Sequence, residues 1–122
     1  GDATLRHGVS SRIEGIGRPQ VEASFQPDVI HRMIKVPDAA SVAAIYWLEQ
    51  LTGRKAGAST GTNLWGVLQI AAQMMDAGQT GSIVTLMCDS GERYLDSYYD
   101  STWVAEQIGD ILPYLKQLQR WL

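Results

Sequence analysis

Ser82-Ile83-Val84-Thr85-Leu86-Met87-Cys88 is the stretch on which the fold turns. It carries β-branched residues and is nearly continuous in hydrophobicity. Such a run predicts a central parallel strand covered on both faces, rather than a half-solvated antiparallel one. The polar residues Asp89-Ser90-Gly91 follow at once, so a loop opens at the carboxyl end of the strand.

Upstream, Leu64 to Met75 is a strongly apolar helical stretch, entered from a turn at Gly61 and terminated by Gly78. Lys55-Ala56-Gly57-Ala58 is short and small-residued, as a buried strand edge would be. Val42, Ile45, Tyr46 and Leu48 to Leu51 recur at helical spacing, with Asp38 as N-cap and Gly53 as stop signal. Val29, Ile30, Met33 and Ile34 suit a short amphipathic helix, and Ile34-Lys35-Val36 could be a strand that Pro37 ends. Gly1 to Pro27 has no helical period and reads as loop, with a short strand near Arg12-Ile13-Glu14. Downstream, a short helix follows Gly91. Asp110 to Leu122 reads as a terminal amphipathic helix with Pro113 in its first turn, where proline is tolerated.

This order predicts an α/β fold: part of a twisted, mainly parallel sheet flanked by helices and joined by right-handed crossovers. Two or three parallel strands would leave sheet edges and faces open. Partner strands are therefore expected from outside the sequence. The opening Gly1-Asp2-Ala3-Thr4 has no initiator methionine and reads like the middle of a loop, so residues 1–122 are expected to be a piece of something longer.

At 122 residues the chain is one domain at most. A net charge of −3 and scattered basic residues give no stripe for phosphates, so nucleic acid is not an expected partner. No apolar run approaches the roughly 20 residues that span a bilayer, so no membrane is expected either. The single cysteine, Cys88, forbids an internal disulfide and suits a reducing cytoplasm. His7 and His31 share no metal-ligand spacing. Cys88, Met74-Met75, Trp47 and Trp65 are expected in packing roles. Tyr98-Tyr99, Trp103 and Trp121 either cover a dimer or domain interface or stand partly exposed.

Three junctions would put backbone amides or small side chains at the carboxyl edge of a sheet, where open α/β sheets bind ligands. Glu14-Gly15-Ile16-Gly17 allows close backbone approach to a flat ligand, although an ordinary turn reads the same way. Gly57-Ala58-Ser59-Thr60-Gly61-Thr62-Asn63 leads into a helix, so free amides and the positive dipole end face any anion there. It is neither a Walker loop nor a dinucleotide fingerprint, and simple capping by Ser59, Thr60 or Thr62 explains it equally. Cys88-Asp89-Ser90-Gly91-Glu92-Arg93-Tyr94-Leu95 could hydrogen-bond a ligand lying across the sheet edge, or Glu92 and Arg93 could merely cap and pair.

In this order and spacing the three segments resemble the cysteine synthase family, which includes cystathionine β-synthases and cysteine desulfhydrases. The likeness runs from Ser11 to Tyr99, and its wording looks most like the desulfhydrase-like branch. The resemblance implies the C-terminal portion of the large domain of a fold-type II pyridoxal-phosphate enzyme, acting as a homodimer on a small amino acid. The chemistry implied is β-elimination or β-replacement on cysteine or an O-activated serine. It places Gly15, Ile16 and Gly17 beside the cofactor, and Ser59, Thr60 and Gly61 in a substrate-side or structural loop. A serine meets the pyridine nitrogen in cysteine synthases. Superposing the Gly-Glu-Arg-Tyr segments puts Asp89 on that serine, and a shift of one position puts Ser90 there.

The family's Schiff-base lysine lies in a Ser-x-Lys-Asp segment and its phosphate loop reads Gly-Thr-Gly-Gly-Thr, both in the N-terminal half. Neither string occurs here, and Lys35, Lys55 and Lys116 have other contexts. The resemblance thus implies that this chain alone is inactive and that its partner is the N-terminal portion of the same enzyme. The rival expectation is a non-catalytic binding or scaffold domain, a degenerate relative without cofactor.

Overall fold

The structure, a computed structural model, describes residues 32–121. Helix α1 spans Asp38–Thr52, α2 Ala58–Asp76, α3 Ser101–Gln107 and α4 Leu112–Gln119, with a 3-10 turn at Gly91–Tyr94. The expected strand near Arg12 and most of the expected helix at Val29 to Ile34 lie outside the described residues.

Helix α1 is the centre of the fold. Residues Ala40 to Ile45 and Trp47 are all buried, which is the pattern of a helix enclosed on most sides rather than one lying on a surface. One face, with Val42 and Ile45, packs on Ala56, Ala58, Tyr94, Tyr98 and Val104. The opposite face, with Ala40, Ala43, Ala44 and Trp47, packs on Trp65, Leu68 and Leu118. Pro37 holds the N-cap position and Asp38 is the first helical residue, where its carboxylate complements the helix dipole instead of capping. Gly53 closes the helix in the left-handed conformation (φ 73°), its N–H donating to the Glu49 carbonyl at 2.7 Å.

Helix α2 begins at Ala58, six residues before the apolar stretch that marks it in the sequence. Ser59, Thr60 and Gly61 are therefore helical, not loop. Tertiary contact overrides their poor propensity: Ser41 Oγ and Thr62 Oγ1 are 2.6 Å apart across the helix pair. Gly61 lies against the Ser41 carbonyl, so close that a Cβ would stand 2.0 Å from its oxygen.

No strand forms among the described residues. Ile34-Lys35-Val36 has no regular structure, and the decisive run Ser82 to Cys88 is unpaired. Pairing is a property of two segments, and no neighbour for this one lies among the described residues. Its side chains stand accordingly in the open: Val84 is 92% exposed, Leu86 73% and Met87 64%. Cys88 is exposed with them, contrary to its expected place in a core. The only ladder contact among the described residues is one antiparallel bridge, Ala56 with Ser90.

Three aromatics are buried, two of them as expected. Trp47 and Trp65 pack in the core as expected, each 6% exposed. Tyr98 is not an exposed or interface aromatic: it is buried at 2%, ringed by Tyr94 and Trp103. Among the described residues no helix is long and apolar enough to cross a membrane.

Candidate functional site

The 89–91 turn and the start of α2 come together, although 28 residues separate Thr60 from Cys88. Gly57 N–H donates to the Asp89 carbonyl and Gly91 N–H to the Lys55 carbonyl, both at 3.0 Å. Cys88 N–H donates to Thr60 Oγ1 at 2.8 Å, and Asn63 Nδ2 to the Leu86 carbonyl at 3.1 Å. The first turns of α2 thus satisfy backbone groups that a sheet partner would otherwise take.

Both glycines of this junction are demanded by space. A Cβ on Gly57 would stand 2.6 Å from Asp89 Oδ1 and 3.0 Å from Tyr94 Cε2. One on Gly91 would stand 2.6 Å from Lys55 Cβ and 2.7 Å from Ala56 N. At Gly91 the space is taken by the 55–56 backbone, and at Gly57 by the Asp89 and Tyr94 side chains.

Asp89 and Ser90 face different company. The Asp89 carboxylate accepts from Tyr94 Oη at 2.5 Å and from Arg93 Nη1 at 3.2 Å. Tyr94 is buried, so the carboxylate is turned inward onto the protein. Ser90 is exposed, and its Oγ accepts from Glu92 N–H at 3.2 Å as the cap of the 3-10 turn. A hydroxyl that already accepts in this way keeps its own proton to donate.

Of the residues expected on the substrate side, Thr60 is buried at 3% and holds Cys88, and Gly61 is buried against α1. Ser59 is half-buried in the first turn of α2. Gly15, Ile16 and Gly17 lie outside the described residues. Among the described residues no three His, Cys, Asp or Glu side chains gather as a metal site.

Tyr99, expected only as an interface or partly exposed aromatic, is a partner for the backbone of Ala56. Its Oη donates to the Ala56 carbonyl at 2.7 Å and accepts from the Ala56 N–H at 2.9 Å, so one phenol does for Ala56 what a strand neighbour would do. The signal available was only Tyr-x-x-x-Tyr-Tyr after the Gly-Glu-Arg-Tyr turn. Burial pushes the Tyr99 phenol up to about 12, although the Ala56 N–H works the other way and Glu49 adds to the rise. The neutral phenol is thus favoured in the folded state. Its contribution is full below the ordinary value of 10 and is lost as pH rises through about 12. In the complete enzyme, Tyr99→Phe is expected to lower stability by roughly 1–2 kcal/mol at neutral pH. It should also flatten the fall in denaturation midpoint between those two pH values, and urea melts of the two proteins across that range check both effects.

Lys55 shares its backbone with the junction, but its ammonium points elsewhere. Nζ lies 2.5 Å from Glu49 Oε2 and over the Tyr99 ring. The hydrogen bond to Glu49 and its charge raise the Lys55 pKa. A lysine that attacks a carbonyl needs the opposite shift.

No family model matches the sequence. Comparison with curated proteins finds an L-cysteine desulfhydrase of Mycobacterium tuberculosis, 56% identical over 80% of this chain and 27% of the relative's length. Cysteine synthase 2 of Emericella nidulans is 31% identical over 77% of the chain and 22% of its own length. Cysteine synthase 1 of the same organism is 26% identical over 93% of the chain and 30% of its own length. The chain therefore spans less than a third of each of these relatives.

Proposed function

This chain belongs to the cysteine synthase family, with its stronger likeness on the desulfhydrase side, and we propose that it is the C-terminal portion of a pyridoxal-phosphate enzyme. The complete enzyme carries out β-elimination or β-replacement on cysteine or an O-activated serine. We further read Ser82 to Cys88 as a strand of a mainly parallel sheet whose neighbours come from the rest of that enzyme.

The observation that carries the reading is the 89–91 turn, tied on both sides to the backbone before α2 in a chain 56% identical to a desulfhydrase. The residues present fit one edge of the cofactor. Ser90 offers an exposed hydroxyl with a proton to donate, which suits a pyridine nitrogen. The Asp89 carboxylate is engaged by Tyr94 and Arg93 and does not offer itself in the same way. Between the two candidates the geometry favours Ser90.

When bound, the cofactor supplies an electron sink that lets an amino acid lose its α-proton and then its β-substituent. This chain's part is to hold and orient. Ser90 donates to the ring nitrogen without adding a negative charge, and Gly57 and Gly91 keep that turn in one place. Thr60 and Asn63 fix the end of the strand that leads into it. Gly15, Ile16 and Gly17, which lie outside the described residues, are assigned to the cofactor side on the family resemblance alone. The lysine that moves the α-proton and the loop that holds the phosphate belong to the other portion.

The test is the complete enzyme with pyridoxal phosphate, assayed for sulfide released from cysteine and for cysteine formed from an O-activated serine. Ser90→Ala is expected to lower kcat about tenfold, the equivalent of one hydrogen bond of roughly 1.4 kcal/mol, while sparing the fold. A complete protein that neither binds the cofactor nor turns over either substrate would leave the scaffold reading standing instead.

A further inference from the structure

We infer that Asp89 and Tyr94 are positioning residues, a clasp that holds the Ser90 hydroxyl in place without touching the cofactor; the inference rests on Ser90 as the ring-nitrogen partner. Four contacts meet at this point. The buried Tyr94 donates its Oη proton to Asp89 Oδ2 at 2.5 Å. Asp89 Oδ1 lies over Gly57, where a Cβ would stand 2.6 Å away, so the carboxylate rests on backbone that has been cleared for it. The Asp89 carbonyl accepts from the Gly57 N–H, and the Lys55 carbonyl accepts from the Gly91 N–H. Ser90 is the residue between these two bonds.

The clasp fixes Ser90 by its neighbours instead of by its own side chain. That matters because an exposed serine has three staggered rotamers and little to choose between them. Its Oγ is oriented only by the Glu92 N–H at 3.2 Å, and that bond holds only while the backbone of the turn stays put. Tyr94 is anchored by its ring against Tyr98, which is itself among the most deeply buried side chains. The anchor therefore runs from the core, through a phenol, to the residue before the serine. Arg93, 70% exposed at its side chain, adds a weaker hold from the solvent side.

What Asp89 supplies on this account is an acceptor, not a charge. Asp89→Asn keeps an oxygen for Tyr94, whereas Asp89→Ala and Tyr94→Phe each delete one side of the bond and keep the ring packing. In the complete enzyme, Asp89→Asn is expected to hold kcat within about threefold of the parent. Asp89→Ala and Tyr94→Phe should lower it about tenfold with KM nearly unchanged, the loss expected of one hydrogen bond. The same two variants should shift the visible circular dichroism band of the bound cofactor in the direction that Ser90→Ala shifts it. In cofactor-free enzyme they should speed amide exchange at Gly91, and Asp89→Asn should not.

If Asp89→Asn proves as damaging as Asp89→Ala, the negative charge itself is needed and the clasp reading is overturned. It is overturned equally if Asp89→Ala and Tyr94→Phe leave Gly91 exchange as in the parent. Failure of the Ser90 assignment looks different: Ser90→Ala would then leave the band and kcat unchanged, while exchange at Gly91 would still report on the clasp.

Discussion

Gly61→Val in the complete enzyme is expected to cost at least about 4 kcal/mol of apparent stability, among the largest single-residue effects a core tolerates. Helix propensity argues the other way, since glycine inside a helix is roughly 1 kcal/mol worse than alanine. The reason lies across the interface. A Cβ at position 61 would meet the Ser41 carbonyl oxygen at 2.0 Å and the Ile45 Cγ2 at 2.8 Å. An ordinary carbon–oxygen contact is more than an ångström longer, and the first of these neighbours is backbone, which cannot rotate away. Helix α1 would have to retreat from α2. The Ser41–Thr62 hydroxyl bond at 2.6 Å and the Val42 and Ile45 packing would go with it. Gly66, in the same helix, is the control: a Cβ there meets nothing within 4 Å. Gly66→Ala should raise stability by up to about 1 kcal/mol. Guanidinium midpoints for the two variants, moving in opposite directions, are the check; equal movement would show that Gly61 is not a contact glycine.

The same glycine explains where the sequence misled. Ser59-Thr60-Gly61-Thr62 looks like a capping loop because each residue is a poor helix former and a good turn former. Only the approach of α1 makes them helical, and that approach is invisible in the local pattern. The helix stops were legible for the converse reason. Gly53 and Gly78 adopt positive φ, 73° and 66°, a conformation the residue type itself makes accessible. Helix α3 has only seven residues and no apolar period; it is set by Asp100, whose carboxylate accepts from the Thr102 and Trp103 amides. Ser82 to Cys88 displays the apolarity of a buried strand, but apolarity names no neighbour.

The site divides along the same line. That the 57–61 and 88–95 segments mark the family was readable from their order and wording, which is how the resemblance arose. That they touch was not, because the Gly57–Asp89 and Lys55–Gly91 bonds join residues more than thirty positions apart. The choice between Asp89 and Ser90 is a one-position register, and only the direction of the Asp89 carboxylate, onto a buried tyrosine, separates them. Tyr99 was legible as an aromatic but not as a backbone partner. Its role depends on the unpaired backbone of Ala56.

A polypeptide of these 122 residues on its own is expected to release no sulfide from cysteine when given pyridoxal phosphate. Borohydride should trap no cofactor adduct on Lys35, Lys55 or Lys116. The chemical argument is that Lys55 is held protonated by Glu49, while Lys35 and Lys116 are exposed and lie away from the 89–91 turn in the chain. The physical argument is that Val84, Leu86 and Met87 stand in water. An apolar β-prone run without a neighbour is a template for pairing with other copies. The isolated chain should therefore bind a hydrophobic dye, melt without a sharp transition and aggregate in the micromolar range. Supplying the remaining portion of the enzyme, as a second polypeptide carrying the Ser-x-Lys-Asp segment, should suppress dye binding and restore turnover together, because the same added strands cover the run and bring the lysine. A soluble monomer with a cooperative thermal transition would remove the physical half of this argument, and an adduct on one of the three lysines with turnover would remove the chemical half. Recovery of folding without recovery of turnover would mean that the strands were supplied but the 89–91 turn does not face the cofactor.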